Sequence, residues 1–182
     1  TPFYEAAKLF PSGIVKNRDL SKVFEVDQTK ITEDVTHAWY EGKTNLHPYD
    51  GETKPNYTGF GKKEDNIAYL DTQNKYTWIK SPLHDDERME VGPLARMIIG
   101  VAKGDERISK YVTTFLKNGN LPIKVLFSTV GRTAARAIET ELMADVMMEW
   151  VDELASNVAH GDLSTWTEFN FDNVSANTQG YG

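Results

Sequence analysis

The chain has 182 residues, 40% of them apolar and 26% charged, with 20 Lys and Arg against 27 Asp and Glu and no cysteine. That length suits one domain of ordinary size, or one large piece of a bigger one, and it is enough to bury a core. Without a cysteine the chain builds no disulfide, thiolate zinc site, iron-sulfur cluster or cysteine nucleophile, and a formal charge of −7 disfavours nucleic acid and anionic membrane surfaces, whose binding rests on Lys and Arg.

The opening TPFYEAAKLF carries no initiator Met, no basic region and no long apolar run. It reads as neither a signal peptide nor an intact translated start. Ile14-Val15 and Val23-Phe24-Glu25-Val26 are short β-prone pieces, separated by the turn-forming Pro11-Ser12-Gly13 and Asn17-Arg18-Asp19. Between Thr32 and Tyr40 a short helical turn is predicted, with Thr32 as cap and Glu33 and Asp34 at its positive end. A loop rich in Gly, Pro, Asn and Tyr follows from Glu41 to Gly61. Loops of that length in compact domains are usually functional.

From Asn74 to Val91 the simplest reading is a β-hairpin: strand-like Tyr76 and Trp78, a polar turn over Pro82 to Glu87, and a return strand Arg88-Met89-Glu90-Val91. The second half is helical. Pro93 suits the first position of a helix carrying Leu94, Met97, Ile98 and Val101, which Gly104 stops. Its apolar stretch, Met97 to Ala102, falls far short of the ~20 residues needed to span a bilayer. Asp105 caps a second helix with Ile108, Tyr111, Val112 and Phe115, ending at Asn118-Gly119.

A third helix runs from Ser128 or Thr129 to His160, about 30 residues and roughly 45 Å at ~1.5 Å per residue. Its apolar residues Ala134, Ile138, Leu142, Val146, Trp150, Leu154 and Val158 recur every four positions, with Met143, Met147 and Val151 beside them. Such a stripe wraps around the helix. Two shorter helices cannot cover all of it, so part of its partner surface is expected outside these residues. After Gly161 the chain turns polar again. The resulting fold class is α+β and mainly helical: an extended, loop-rich N-terminal part with a hairpin, then a helical bundle portion containing the long helix. We divide it into 1–61 (extended and interface loops), 62–92 (hairpin region) and 93–182 (helical region).

The residues that could carry chemistry are few. His37, His47, His84 and His160 include no pair four apart that would place two imidazoles on one helix face. Asp85-Asp86-Glu87 reads as a solvated hairpin tip, without the spaced oxygen ligands of a calcium loop. No nucleophile elbow is present, and Gly92-Pro93 lacks the Gly-rich spacing and Lys-Ser/Thr pair of a phosphate loop. Arg132 and Arg136 lie on one helix face. Glu139 is a local partner for Arg136, and two cations near a helix start oppose the dipole and call for an acidic partner. Glu90, between Met89 and Val91, is expected to be partly buried, and a buried carboxylate must be paired, bound or protonated. A salt bridge with Arg96 or Arg132 and a place in a metal's outer shell are both open to it.

Several strings taken together resemble one family, the large subunit of nickel-iron hydrogenases. They are FPSGIVKNRDLSKVFEVD (10–27), ITEDVTHAWYEG (31–42), LHPYDGETKPNYTGF (46–60), KYTWIKSP (75–82), MEVGPLARM (89–97) and STVGRTAARAIE (128–139). The segment Lys62 to Asp71 and the hairpin tip Leu83 to Arg88 look more individual. The likeness is strongest to the membrane-associated, respiratory uptake branch.

That family holds a nickel-iron centre with cyanide and carbonyl ligands on two CxxC pairs, near the two ends of the subunit, and has a catalytic arginine in a Glu-Ala-Pro-Arg stretch. None of these occurs here. The resemblance therefore implies an internal segment of a large subunit that lacks the nickel ligands and is inactive alone. The parent would catalyse reversible oxidation of dihydrogen to protons and electrons, beside an iron-sulfur small subunit, the remaining large-subunit segments and a membrane cytochrome b, on the periplasmic side of the membrane. His47, in LHPYDGET, would neighbour the small subunit's proximal iron-sulfur cluster, making 41–61 an interface loop. Glu90, in MEVGPLARM, would stand in the outer shell of a magnesium site. No residue here is expected to be catalytic. The alternative is a non-catalytic structural subunit of the same fold, related to the large-fold subunit of respiratory complex I.

Overall fold

The computed structural model describes residues 9–51, 53–59, 61–64, 67–164, 170, 172, 174 and 175. Three helices organise its C-terminal half, and each start has a local cause. Helix α1 (Pro93–Lys103) begins at the proline, whose missing N–H costs nothing there, and closes on Gly104 at φ 74°, a conformation that favours glycine. Helix α2 (Glu106–Asn118) is capped by Asp105, whose carboxylate accepts from the Ile108 amide at 2.8 Å. A short 3-10 turn (Ile123–Phe127) leads into α3 (Thr129–Ala159), where the Ser128 hydroxyl accepts from the Gly131 amide at 3.0 Å.

The three helices share one core. Leu94, Met97 and Ile98 from α1 and Ile108, Val112 and Leu116 from α2 close over Leu126 and over Ala135, Ile138, Leu142 and Val146 of α3. Met97, Ile108, Val112, Leu126 and Leu142 have at most 1% of their surface exposed, and each such side chain contributes about 1.5–3 kcal/mol by burial. Ala135, not Ala134, goes deepest, because a strict four-residue count runs ahead of the 3.6-residue turn.

Beyond Val146 the apolar face of α3 turns away from that core. Trp150, Val151, Leu154 and Val158 are 49–60% exposed. At about 100° per residue these side chains and Met147 occupy an arc of roughly 100°, starting about 40° past Val146, on the side away from Leu142 and Ile138. The last third of α3 thus presents a second apolar face, uncovered by the described residues.

The N-terminal half corrects two expectations. Thr32 to Tyr40 is not a helical turn: strand β1 (Ile31–Asp34) occupies its start. It pairs antiparallel with β4 (Ser81–His84), Ile31 facing His84 and Asp34 facing Ser81, while Glu33 exchanges backbone bonds with Leu46 and Asn45 on its other edge. Long-range pairing of a segment that starts with two β-branched residues overrides a local capping signal. The hairpin exists but is tighter and later than expected. Its turn is Asp85-Asp86, both at positive φ as a type I′ turn requires, between β4 and β5 (Glu87–Arg88). Pro82 lies inside the strand, and Thr77 meets only Ala38 through a single parallel bridge.

A further antiparallel pair, β2 (Gly61–Glu64) with β3 (Ile67–Leu70), lies where the sequence showed only an individual stretch. Of the β-prone N-terminal pieces, Ile14 and Phe24 form one antiparallel bridge. The polar end, 162–182, lies mostly outside the described residues.

Asp34 ties β1 to its surroundings. Its carboxylate accepts from the Thr36 amide (2.9 Å), the Thr44 hydroxyl (2.9 Å) and Arg88 Nη2 (2.6 Å), and the Thr44 oxygen in turn accepts from the Val35 amide (3.1 Å). The hydroxyl and amide of Thr36, then Thr44 and Arg88, hold this carboxyl well below the usual carboxylate range, against partial desolvation.

Two predictions arise from this architecture. A Cβ at Gly131 would lie 2.2 Å from the Leu126 carbonyl oxygen, a backbone atom, so Gly131→Ala should cost about 1–3 kcal/mol by overpacking, read as a lower urea midpoint. Because the folded pKa of Asp34 is depressed, its stabilisation is complete above the unfolded value of ~3.9 and drains away as pH falls below it. Asp34→Asn should lower stability at neutral pH and flatten its loss between about pH 5 and pH 2; urea midpoints measured across that range check both parts.

Candidate functional site

The loops that follow β1 carry the features from which a surface for recognition can be built. Trp39 is 4% exposed, and its indole N–H donates to the Gly59 carbonyl at 3.1 Å. Around it stand Tyr57 (centroids 4.8 Å apart) and Trp78 (5.0 Å), both edge-on, with Tyr40 edge-on to Trp78 at 5.8 Å. These are favoured aromatic geometries. Tyr57 and Trp78 themselves are exposed, as is the neighbouring Ile79. One buried indole thus seats an exposed aromatic ledge.

Charge is arranged beside this ledge. Lys80 Nζ donates at 3.0 Å to both Glu33 Oε2 and Thr53 Oγ1 and lies 5.3 Å from the Tyr40 ring centroid. This joins β1, the 41–59 loop and the segment before β4 at one ammonium. Lys75 performs a similar service with backbone: its ammonium reaches the carbonyls of Val35, Ala38 and Tyr40.

His47 lies in the same loop system. Its ring is half-buried, stacks on Tyr49 at 5.2 Å, and accepts the Tyr49 amide at Nδ1 (3.2 Å). A neutral imidazole that accepts at Nδ1 carries its proton on Nε2. The His47 carbonyl accepts from the amides of Asp50 (2.8 Å) and Gly51 (3.0 Å), and the preceding Leu46 carbonyl bonds Glu33 of β1. His47 is therefore held at a fixed offset from the sheet edge.

Glu90 belongs to a separate arrangement at the foot of α1. Both its oxygens accept from Arg132, Oε1 from Nε and Oε2 from Nη2, each at 2.6 Å. The expectation of partial burial fails: the Glu90 side chain is 44% exposed and that of Arg132 41%. Its apolar neighbours make no pocket, since Val91 faces outward at 67% exposure. Of the two expected salt-bridge partners Arg132 is the one used, and the acidic partner that the α3 dipole called for is Glu90. Arg96 takes Glu139 by the same two-pronged geometry, at 2.9 and 2.7 Å. Glu139 is thus not the partner of Arg136, which donates instead to the Arg132 carbonyl at 3.2 Å. A planar guanidinium aimed squarely from another helix outcompetes a local i, i+3 contact.

The other histidines are engaged in holding chain segments. His37 Nδ1 lies 2.8 Å from the Asn74 carbonyl, His84 Nε2 accepts from the Asp27 amide at 3.2 Å, and His160 Nδ1 lies 2.7 Å from the Ser156 carbonyl. Among the described residues no group of three or more His, Cys, Asp or Glu side chains is placed to hold a metal ion. Sequence reasoning missed Lys75, Lys80 and Asp34. Two lysines outside the strands and an aspartate at a strand end show nothing of their partners until distant segments fold around them.

Comparison with known proteins follows the same residues. A sequence model described as nickel-dependent hydrogenase matches residues 2–182. The chain is 42% identical to the quinone-reactive Ni/Fe-hydrogenase large chain of Wolinella succinogenes, over 94% of this chain and 31% of that one. It is 43% identical to the uptake hydrogenase large subunit of Bradyrhizobium diazoefficiens, over 89% of this chain and 29% of that one. Among solved structures, the Ni-Fe-Se hydrogenase of Desulfovibrio vulgaris Hildenborough in the reduced state superposes with a TM-score of 0.50 at 28% identity, over 81% of this chain and 29% of that one. The chain spans about a third of the length of the curated relatives it matches. With the family's pattern running through all but the first of its residues, the chain belongs to the nickel-dependent hydrogenases.

Proposed function

We propose that this chain is an internal segment of the large subunit of a nickel-iron hydrogenase, and that the whole protein oxidises dihydrogen reversibly to protons and electrons passed to an iron-sulfur small subunit. The observation that carries this reading is the family match over residues 2–182. The relatives named quinone-reactive and uptake hydrogenases support a respiratory setting, with a membrane cytochrome b among the partners and the enzyme on the periplasmic side. The non-catalytic alternative drawn from respiratory complex I has no support among these relatives.

The nickel-iron centre, bound through thiolates in the resemblance described above, does not fit these 182 residues, which contain no cysteine. We assign no chemical step to this chain. Its contribution is scaffold, through α1–α3, and interface, through the 41–61 loop with His47. A neutral imidazole beside a cluster in the partner tunes the cluster's electrostatics by its dipole and its hydrogen bonds. For Glu90 the geometry supports an ion pair that fixes the start of α3. An outer-shell contact to magnesium-bound water would have to use the lone pairs that Arg132 leaves over, since a carboxylate offers about four.

Nickel analysis and hydrogen-dependent dye reduction test the proposal. The 182-residue polypeptide alone should contain no stoichiometric nickel and reduce no dye, while the complete gene product with its small subunit should do both. Nickel and activity in the polypeptide alone would sink the reading. Within the complete enzyme, His47→Ala should leave nickel content intact and alter electron transfer to the natural acceptor or tolerance of oxygen; no change in either removes the cluster-side role. Glu90→Gln should lower the yield of assembled, nickel-loaded enzyme by weakening the tie to Arg132. Normal maturation and turnover would reduce Glu90 to half of a dispensable surface pair.

A further inference from the structure

The segment from Val35 to Tyr40 has no helix or strand of its own, so the carbonyls it buries need partners. His37 accepts from the amides of Tyr76 and Thr77, Trp39 from Asn56, Val35 from Ala38, and Ala38 from Tyr40. Three of these carbonyls then converge on a single group. Lys75 Nζ lies 2.6 Å from the Ala38 oxygen, 2.8 Å from that of Tyr40 and 3.4 Å from that of Val35. Among the described residues no carboxylate pairs with Lys75, and its ammonium is the partner of the Tyr40 carbonyl.

An ammonium has three donors and no acceptor. Three convergent carbonyl oxygens satisfy it, and bonds to an ionised donor are roughly twice as strong as neutral ones. A ring of backbone carbonyls is also what replaces the hydration shell of a small monovalent cation. Arginine would not serve, since its donors are spread over a planar fork and no one nitrogen of it directs three N–H bonds to three acceptors. The turn that surrounds this ammonium carries Trp39, on which the exposed rings of Tyr57 and Trp78 lean.

We propose that Lys75 is a tethered structural cation: its ammonium fills a site made of three backbone carbonyls and so fixes the turn that seats Trp39 beneath the aromatic ledge. The site takes its cation from the chain itself. Emptied, it would accept a small primary ammonium ion. The role makes Lys75 a positioning residue for the surface beside the 41–59 loop, and it holds whether or not that surface meets an iron-sulfur subunit.

The test uses the complete gene product and amide hydrogen exchange. Lys75→Met, which keeps the stem and removes the charge, should raise exchange at residues 38–41 and at Asn56 by roughly 10–100-fold, the worth of bonds to a charged donor, with α1–α3 unchanged. Lys75→Ala should show the same loss, reversed by n-propylammonium, which replaces the missing stem and head. Trimethylpropylammonium, which has the charge but no N–H, should not reverse it. Unchanged exchange in Lys75→Met, or a loss in Lys75→Ala that propylammonium leaves standing or that the trimethyl ion repairs equally well, overturns the proposal. Should neither variant fold, the unaltered protein decides: native Lys75 should react with an amine acylating reagent roughly 10–100-fold more slowly than in urea, and a native rate within a few-fold of the denatured one overturns the proposal.

Discussion

Burial of Ala135, Ile138, Leu142 and Val146 against Met97, Ile108 and Val112 is the constraint from which the rest of the C-terminal half follows. It fixes the rotation of α3 about its axis, because only one face can meet α1 and α2 at once. With that rotation set, Arg132 and Glu139 fall toward α1 and its approach segment, where Glu90 and Arg96 wait. The same rotation sends Trp150, Leu154 and Val158 away from the core. Interior packing thus decides which charges pair and which apolar residues remain uncovered.

Of the two guanidinium–carboxylate pairs, Arg132 with Glu90 connects that helical body to the loop-rich half, and Arg96 with Glu139 ties α1 to α3. Each is half-exposed or nearly so on at least one side, so neither is a large source of stability. Their value is directional. Two pairs, each making two parallel bonds, leave little freedom for the segment from Glu90 to Arg96 to shift along α3.

In the N-terminal half apolar burial is thin, and polar bonds to loops take over the organising role. Lys75 and Lys80 each gather three partners distant in the chain, and Asp34 joins its neighbour Thr36 to Thr44 and Arg88. Among the described residues of this half, Trp39 is the one deeply buried large ring. A surface built this way can present Tyr57, Trp78 and the His47 loop in defined positions without a large core beneath. For a chain of the hydrogenase family that spans about a third of its relatives' length, the α3 face that the described residues leave uncovered offers a surface on which further protein can pack.

The amino-acid sequence by itself determined what depends on near neighbours. Pro93, Gly104, Asp105, Ser128 and the periodic apolar residues bounded the three helices, because caps and 3.6-residue spacing act within one or two turns. Long ordered strings such as LHPYDGETKPNYTGF and MEVGPLARM determined the family, and the absence of cysteine determined that no thiolate-held metal centre lies in this chain. Tertiary structure alone decided what depends on residues far apart. Ile31 to Asp34 became a strand only because Ser81 to His84 arrives to pair with it, and the hairpin turn settled on Asp85-Asp86 through that register. Glu90 proved exposed because Val91 turned outward, and Glu139 went to Arg96 because α1 brings a better-aimed fork than the same helix can. Lys75 gave no signal at all: three carbonyls meet at its ammonium only once a loop forty residues upstream has folded around it, and no local pattern in a sequence encodes that convergence.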